Sequence, residues 1–145
     1  MTRHRTRLLD VNVVIALSLP SHVHHEIVTA WFEDVRDWAT CPITQSAYVR
    51  LLLNQNVTGF RIAPGDVLAG LAALCAVDGH EFLSDDAPLS EPLIDFSVLS
   101  GSKQITDLHL VDLAARHRAV LATMDSRIPD ALTPDDRRHV ELIPV

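Results

Sequence analysis

Apolar positions along the chain follow two rhythms, short unbroken runs and longer stretches with helical spacing, and the two alternate from one end to the other. The segment Arg7–Leu17 is almost wholly apolar, with Asp10 and Asn12 inside it. Such a run predicts a strand buried on both faces that turns into a loop or short helix. Over His24–Val35 the apolar positions Ile27, Val28, Trp31, Phe32 and Val35 recur at helical spacing, which predicts an amphipathic helix. Trp38–Ile43 reads as a second strand, made irregular at its end by Pro42. Thr44 or Ser46 is the expected cap of a helix through Tyr48, Val49 and Leu51 to Leu53, ended by the turn-like Asn54–Gly59 stretch.

The second half repeats the pattern. Pro64 and Asp66 open a helix through Leu68, Leu71, Ala72 and Cys75 that Gly79 closes. His80–Leu83 is a short strand, followed by an irregular Ser84–Pro92 stretch. A loop around Gly101–Lys103 leads to Thr106, the expected cap of a helix from Asp107 to about His117. Ala119–Met124 reads as a buried strand, and Val140–Val145 as a last strand after the polar Thr133–His139 turn. Strand and helix alternate without linker, repeat or low-complexity tract, so the expectation is one domain over residues 1–145, α/β in class, with a mainly parallel sheet.

Composition narrows the class. Apolar residues make up 48% and charged residues 21% of 145, enough to bury a core in one domain. Cys41 and Cys75 lack the spacing of a zinc site and sit among apolar neighbours, so reduced thiols in a cytoplasmic protein are expected. The basic-then-apolar start imitates a secretion signal. Asp10 and Asn12 break its apolar run, however, and no run approaches the roughly 20 residues of a membrane span. A net charge of −7 argues against a nucleic-acid partner unless some carboxylates hold cations, which would supply the missing positive charge. Arginines are unevenly placed, with Arg3, Arg5 and Arg7 at the start and Arg116, Arg118 and Arg127 near the end.

The acids then become the candidate chemistry. In open α/β sheets, ligands bind beyond the carboxyl ends of the strands. Asp10 lies within or at the end of the first expected strand, Asp125 directly follows Ala119–Met124, and Asp107 starts a helix. All three have a route to one sheet edge, although 97 and 18 residues separate them in sequence. Clustered carboxylates repel unless protonated or bridged by cations, and hard oxygen ligands suit Mg²⁺ or Mn²⁺. Each acid also has a plain structural reading: an Asp after a strand is often a turn residue, and Asp107 suits the positive end of a helix. Asp10 resists it best, because an acid among Leu8, Leu9, Val11, Val13 and Val14 is costly to bury without a partner.

Two segments carry a resemblance. LLDVNVVIAL resembles the opening motif of PIN domains, an aspartate (Asp10) closing the first strand with Asn12 two residues later. TDLHLVDLAARHRAVLATMDSRI resembles their closing motif, an acid opening a helix (Asp107), then a strand ending in Thr123 and a second acid (Asp125). The TCPIT strand-to-helix junction fits between them, so the resemblance covers essentially the whole chain. It is to the toxin ribonucleases of bacterial VapBC toxin–antitoxin pairs. It implies a three-layer α/β/α domain with a sheet of four to five strands, and a metal-dependent endoribonuclease cutting RNA such as tRNA or rRNA. By the same resemblance, Asp10, Asp107 and Asp125 would hold one or two Mg²⁺ or Mn²⁺ ions, with Asn12, Thr123 and, less directly, Ser126 orienting them. The partners it implies are a VapB-like antitoxin that neutralises the toxin and a second copy forming a homodimer.

One departure stands out. PIN domains usually carry a further acid at the start of the helix after the second strand, and Pro42–Arg50 contains none. Gln45 or Ala47 takes that place. Asp112 is a possible substitute, but five residues beyond Asp107 it lies roughly 140° around the helix. An alternative is therefore a catalytically weakened PIN-like module that binds RNA or protein. A phosphoryl-transfer domain built on Asp10 would want a lysine at a late strand end, and the single lysine, Lys103, falls in a loop. His22, His24 and His25 lack zinc-ligand spacing and read as exposed helix-start residues. Asp85–Asp86 reads as a solvated loop pair, Trp31, Phe32 and Trp38 as core or dimer surface, and Arg116, Arg118 and Arg127 as possible phosphate contacts.

Overall fold

A computed structural model describes residues 5–145; Arg3 lies outside the described residues. Five strands run parallel in one sheet: β1 (Arg7–Leu9), β2 (Trp38–Thr40), β3 (His80–Phe82), β4 (Val120–Thr123) and β5 (Val140–Leu142), in the order β3-β2-β1-β4-β5. Their connections carry α1 (Val11–Ser18), α2 (His25–Glu33), α3 (Pro42–Leu53), α4 (Gln55–Thr58), α5 (Pro64–Cys75), α6 (Ile105–Arg116) and α7 (Arg127–Ala131). The order reverses at β1: the chain builds outward to β3 on one side, then returns to lay β4 and β5 on the other. The edge between the ends of β1 and β4 is thus the topological switch point, where a crevice opens in such sheets.

Successive strand residues point to opposite faces, and both faces are covered. Leu8, Ala39 and Leu121 pack with Leu108, Val111, Leu113 and Ala114 of α6. Their neighbours Leu9, Trp38 and Ala122 pack on the other face with Val13, Val14, Val28, Tyr48 and Val67 from α1, α2, α3 and α5. Burial on both sides is why the strands read as continuous apolar runs. The sheet therefore has helices on each face, the three-layer α/β/α arrangement expected from the sequence.

Several element ends differ from expectation for local reasons. The strand in Arg7–Leu17 stops at Leu9, because Asp10 caps a helix whose Val13, Val14, Ile15 and Ala16 are all buried. An apolar run cannot by itself separate strand from buried helix. α3 starts at Pro42, earlier than Thr44 or Ser46: Cys41 is its cap residue, and the Thr44 hydroxyl accepts from Cys41 N–H at 3.1 Å. Asn54–Gly59 is a short helix capped by Asn54 rather than a bare turn. α6 begins at Ile105 without a side-chain cap, since a 3-10 turn at Ser102–Gln104 runs into it; Thr106 is inside the helix. Gly79 is required where it stands, at φ +87°, with a Cβ there placed 1.8 Å from Arg36 O. No helix of the described residues is long and apolar enough to cross a membrane.

The segment after β3 is tied to α6 by polar contacts. His109 and His117 pair with Asp85 and Asp86 at 2.9 and 2.8 Å, which corrects the reading of those acids as a freely solvated pair. Asp112, fully buried, accepts from Leu93 N–H at 2.7 Å and Ile94 N–H at 3.1 Å.

Candidate active site at the β1 and β4 ends

Asp10 is the residue after β1 and the cap of α1. Its backbone is extended, one carboxylate oxygen accepts from Val11 N–H at 2.8 Å, and its own N–H donates to Ala122 O of β4 at 2.9 Å. The other oxygen, Oδ2, accepts from the Thr123 hydroxyl at 2.7 Å. That hydroxyl also accepts from Asp125 N–H at 3.1 Å. One buried threonine thus joins the two strand-end acids. Asp107 reaches the same edge from the first turn of α6, where the positive end of the helix favours a carboxylate.

The charges of these acids act on one another. Burial pushes the Asp10 carboxyl above the usual range, against the Thr123 and Val11 hydrogen bonds, and the charges of Asp107 and Asp125 add to the rise. Asp107 is also raised, first by burial and then by Asp125. Asp125 goes the other way, held low chiefly by its hydrogen bonds from Arg127. The guanidinium grips it with two bonds, Nε to Oδ1 at 2.9 Å and Nη2 to Oδ2 at 2.8 Å, while Arg127 N–H adds a third to Oδ1 at 3.0 Å. Beside the acids opens a cleft of about 250 Å³ lined by Lys103, Gln104, Asp107, Asp125 and Arg127, with Leu108, Ile128 and Ala131 as its apolar wall.

Among the described residues, no three His, Cys, Asp or Glu side chains come close enough together to form a metal-binding group. The donor chemistry nonetheless suits a hard divalent cation. The donors are carboxylate oxygens only, and two of the acids are strained upward by burial and by like charge, a strain that a bound cation would relieve. Asn12 Oδ1, two residues beyond Asp10, is buried without a hydrogen-bond donor.

Other expected positions lie elsewhere. Gln45 donates its side-chain amide to Thr40 Oγ1 at 2.9 Å and to Cys75 Sγ at 3.8 Å, on the side of β2 that faces β3. Ala47 is a half-buried residue of α3. Asp112 points at the segment after β3, not at the cleft. Ser126 is exposed at the start of α7 and makes no side-chain cap. Arg116 donates to Glu91 O at 2.9 Å, whereas Arg127 lines the cleft. Lys103 was not legible as a cleft residue: a lone lysine in a loop carries no sequence signal, and only the packing of the 3-10 turn before α6 brings it there.

Comparison with known proteins agrees with this geometry. The PIN-domain family model matches residues 7–131. The chain is 42% identical to Ribonuclease VapC39 of Mycobacterium tuberculosis over 129 residues, covering 87% of this chain and 93% of that one. It is 38% identical to Ribonuclease VapC38 of the same organism over 140 residues, covering 95% and 98%. It is also 38% identical to Ribonuclease VapC29 over 122 residues, covering 83% and 86%. An all-parallel sheet with an acid after each of its two switch-point strands, and a match that spans most of the sequence, make this chain a member of the PIN-domain family, with VapC ribonucleases among its relatives.

Proposed function

We propose that this chain is a Mg²⁺- or Mn²⁺-dependent endoribonuclease, the toxin of a toxin–antitoxin pair, hydrolysing phosphodiester bonds of tRNA or rRNA in the cytoplasm. The observation that carries the reading is the convergence of Asp10, Asp107 and Asp125 on one sheet edge in a chain related to VapC ribonucleases. The three carboxylates would hold the cation, with Asn12 supporting them. A divalent cation bound there supplies a water activated for attack and neutralises charge on the leaving oxygen.

The chain's own residues do the positioning. Thr123 fixes Asp10 by donating to Oδ2 and fixes the backbone at Asp125 by accepting from its N–H. Val11 N–H holds the other Asp10 oxygen, so that carboxylate has little freedom to rotate. Lys103 and Arg127 place positive charge along a cleft in an otherwise acidic protein, where a phosphate backbone needs it. The exposed apolar side chains Leu53, Val57 and Phe60 on and after α3 favour a surface covered by a partner, a second copy or a VapB-like antitoxin.

A second reading, a weakened PIN-like binding module, is favoured by the lack of a tight three-acid group among the described residues and by a glutamine, Gln45, in a stretch without acids. One experiment separates the two. Purified protein with Mn²⁺ is expected to cut RNA, and Asp10→Asn to lower the rate by roughly a hundredfold or more. Cleavage that persists in excess chelator, or that survives Asp10→Asn, overturns the metal-dependent mechanism. RNA binding without any turnover favours the module.

A further inference from the structure

Asp125 already has a cation. Its two oxygens face two guanidinium nitrogens of Arg127 in the fork geometry that matches a carboxylate, and a third bond comes from the Arg127 backbone. A divalent ion approaching Asp125 competes with the guanidinium for these two oxygens and meets its positive charge. The arginine is nevertheless poorly anchored: its side chain is 88% exposed, while that of Asp125 is 21% exposed. Backbone hydrogen bonds fix the α7 start beneath it, Ile128 N–H to Asp125 O and Asp130 N–H to Ser126 O. The guanidinium can therefore leave without unfolding anything.

Resting on the metal-site reading above, we infer that Arg127 is a resident counter-ion of the site, which a divalent metal must displace from Asp125 to complete its ligand set. Of the three acids, only Asp125 is occupied in this way. Asp10 is bonded by a hydroxyl and an amide, and Asp107 meets Arg127 through charge alone. Arg127 so sets the metal concentration at which the site loads. Its displacement would leave a free guanidinium in the cleft beside Lys103.

The test uses the full chain with metal alone and no RNA. Mn²⁺ titrated by calorimetry is expected to bind Arg127→Ala roughly two- to fivefold more tightly than the parent. Arg127→Lys, a charge without the fork, should fall between them. Arg61→Ala, in an exposed loop, removes the same charge and corrects for the general gain of a more acidic protein. By NMR, the Arg127 Nε–H resonance should move as Mg²⁺ is added, with the same midpoint as metal binding. If Arg127→Ala binds no more tightly than Arg61→Ala, or the Nε–H signal stays put while Mg²⁺ saturates the site, the counter-ion role is overturned and the metal site stands. If neither parent nor Arg127→Ala binds Mn²⁺ in an Asp10-dependent way, the metal site itself is overturned, and this inference with it.

Discussion

Helix α6 serves two regions that use aspartate in opposite ways. At its start, Asp107 lines the cleft with Asp125, and burial, with the charge of Asp125 added, raises its proton affinity and that of Asp10. One turn further along and on another face, Asp112 is more deeply buried than any of them, yet one of its oxygens is fully employed by Leu93 N–H and Ile94 N–H. Asp112 holds a segment of chain in place, as Asp136 does by accepting from Asp95 N–H at 2.9 Å. Burial alone therefore does not mark a functional acid. The informative difference is the company they keep: Asp112 and Asp136 tie down backbone of distant segments, whereas Asp10 and Asp107 lie within reach of other carboxylate charges.

The largest effect should come from breaking the structural acid. Asp112→Ala leaves Leu93 N–H and the buried Ile94 N–H without an acceptor, and stranding two backbone donors in this way costs about 2–4 kcal/mol. Urea unfolding should give a lower midpoint at an unchanged slope, while the folded fraction binds Mn²⁺ like the parent. A variant of parental stability that loses Mn²⁺ would show that Asp112 belongs to the cleft after all.

Asp10→Asn should do the reverse, losing function and gaining stability. A folded-state pKa above the ordinary value means that the folded protein holds the proton more tightly than the unfolded chain. The stabilising contribution of Asp10 is then present below its ordinary pKa and lost as pH rises through the raised one. At neutral pH the ionised group is a net burden, which asparagine removes while keeping an acceptor for Val11 N–H. The midpoint of thermal unfolding should rise by a few degrees at pH 7, with the gap from the parent closing as pH falls through the raised Asp10 pKa. Asp125 has the opposite sign, its carboxyl lowered by Arg127, so Asp125→Asn should bring no such gain. Equal gains from both substitutions would dissolve the contrast between them.

How far the sequence reaches follows from the same physics. The strands themselves were open to reading because runs such as Ala119–Met124 are buried on both faces, and the acids after them were visible as breaks in apolar patterning. Asp10 could be placed at an edge but not recognised as a helix cap, since Val11–Ala16 has the same apolar content in a strand or a buried helix. Arg127 could be placed near the site, but its grip on Asp125 depends on the turn into α7, which no periodicity announces. Asp85 and Asp86 looked solvated because their partners, His109 and His117, lie more than twenty residues away.

The smallest effect belongs to Gln45, which sits in neither region. Its amide nitrogen goes to Thr40 Oγ1, and that hydroxyl lies 2.7 Å from His80 Nε2, so the side chain ties the ends of β2 and β3 together. Gln45→Ala removes the amide donor, and Thr40 keeps its contact with His80. A loss of about 0.5–1.5 kcal/mol is expected in urea unfolding, with the heat and midpoint of Mn²⁺ binding unchanged. A clear drop in Mn²⁺ affinity at near-parental stability would mean that the Gln45 carbonyl oxygen takes the place of the acid missing from Pro42–Arg50. The ligand set proposed for the β1 and β4 ends would then have to include it.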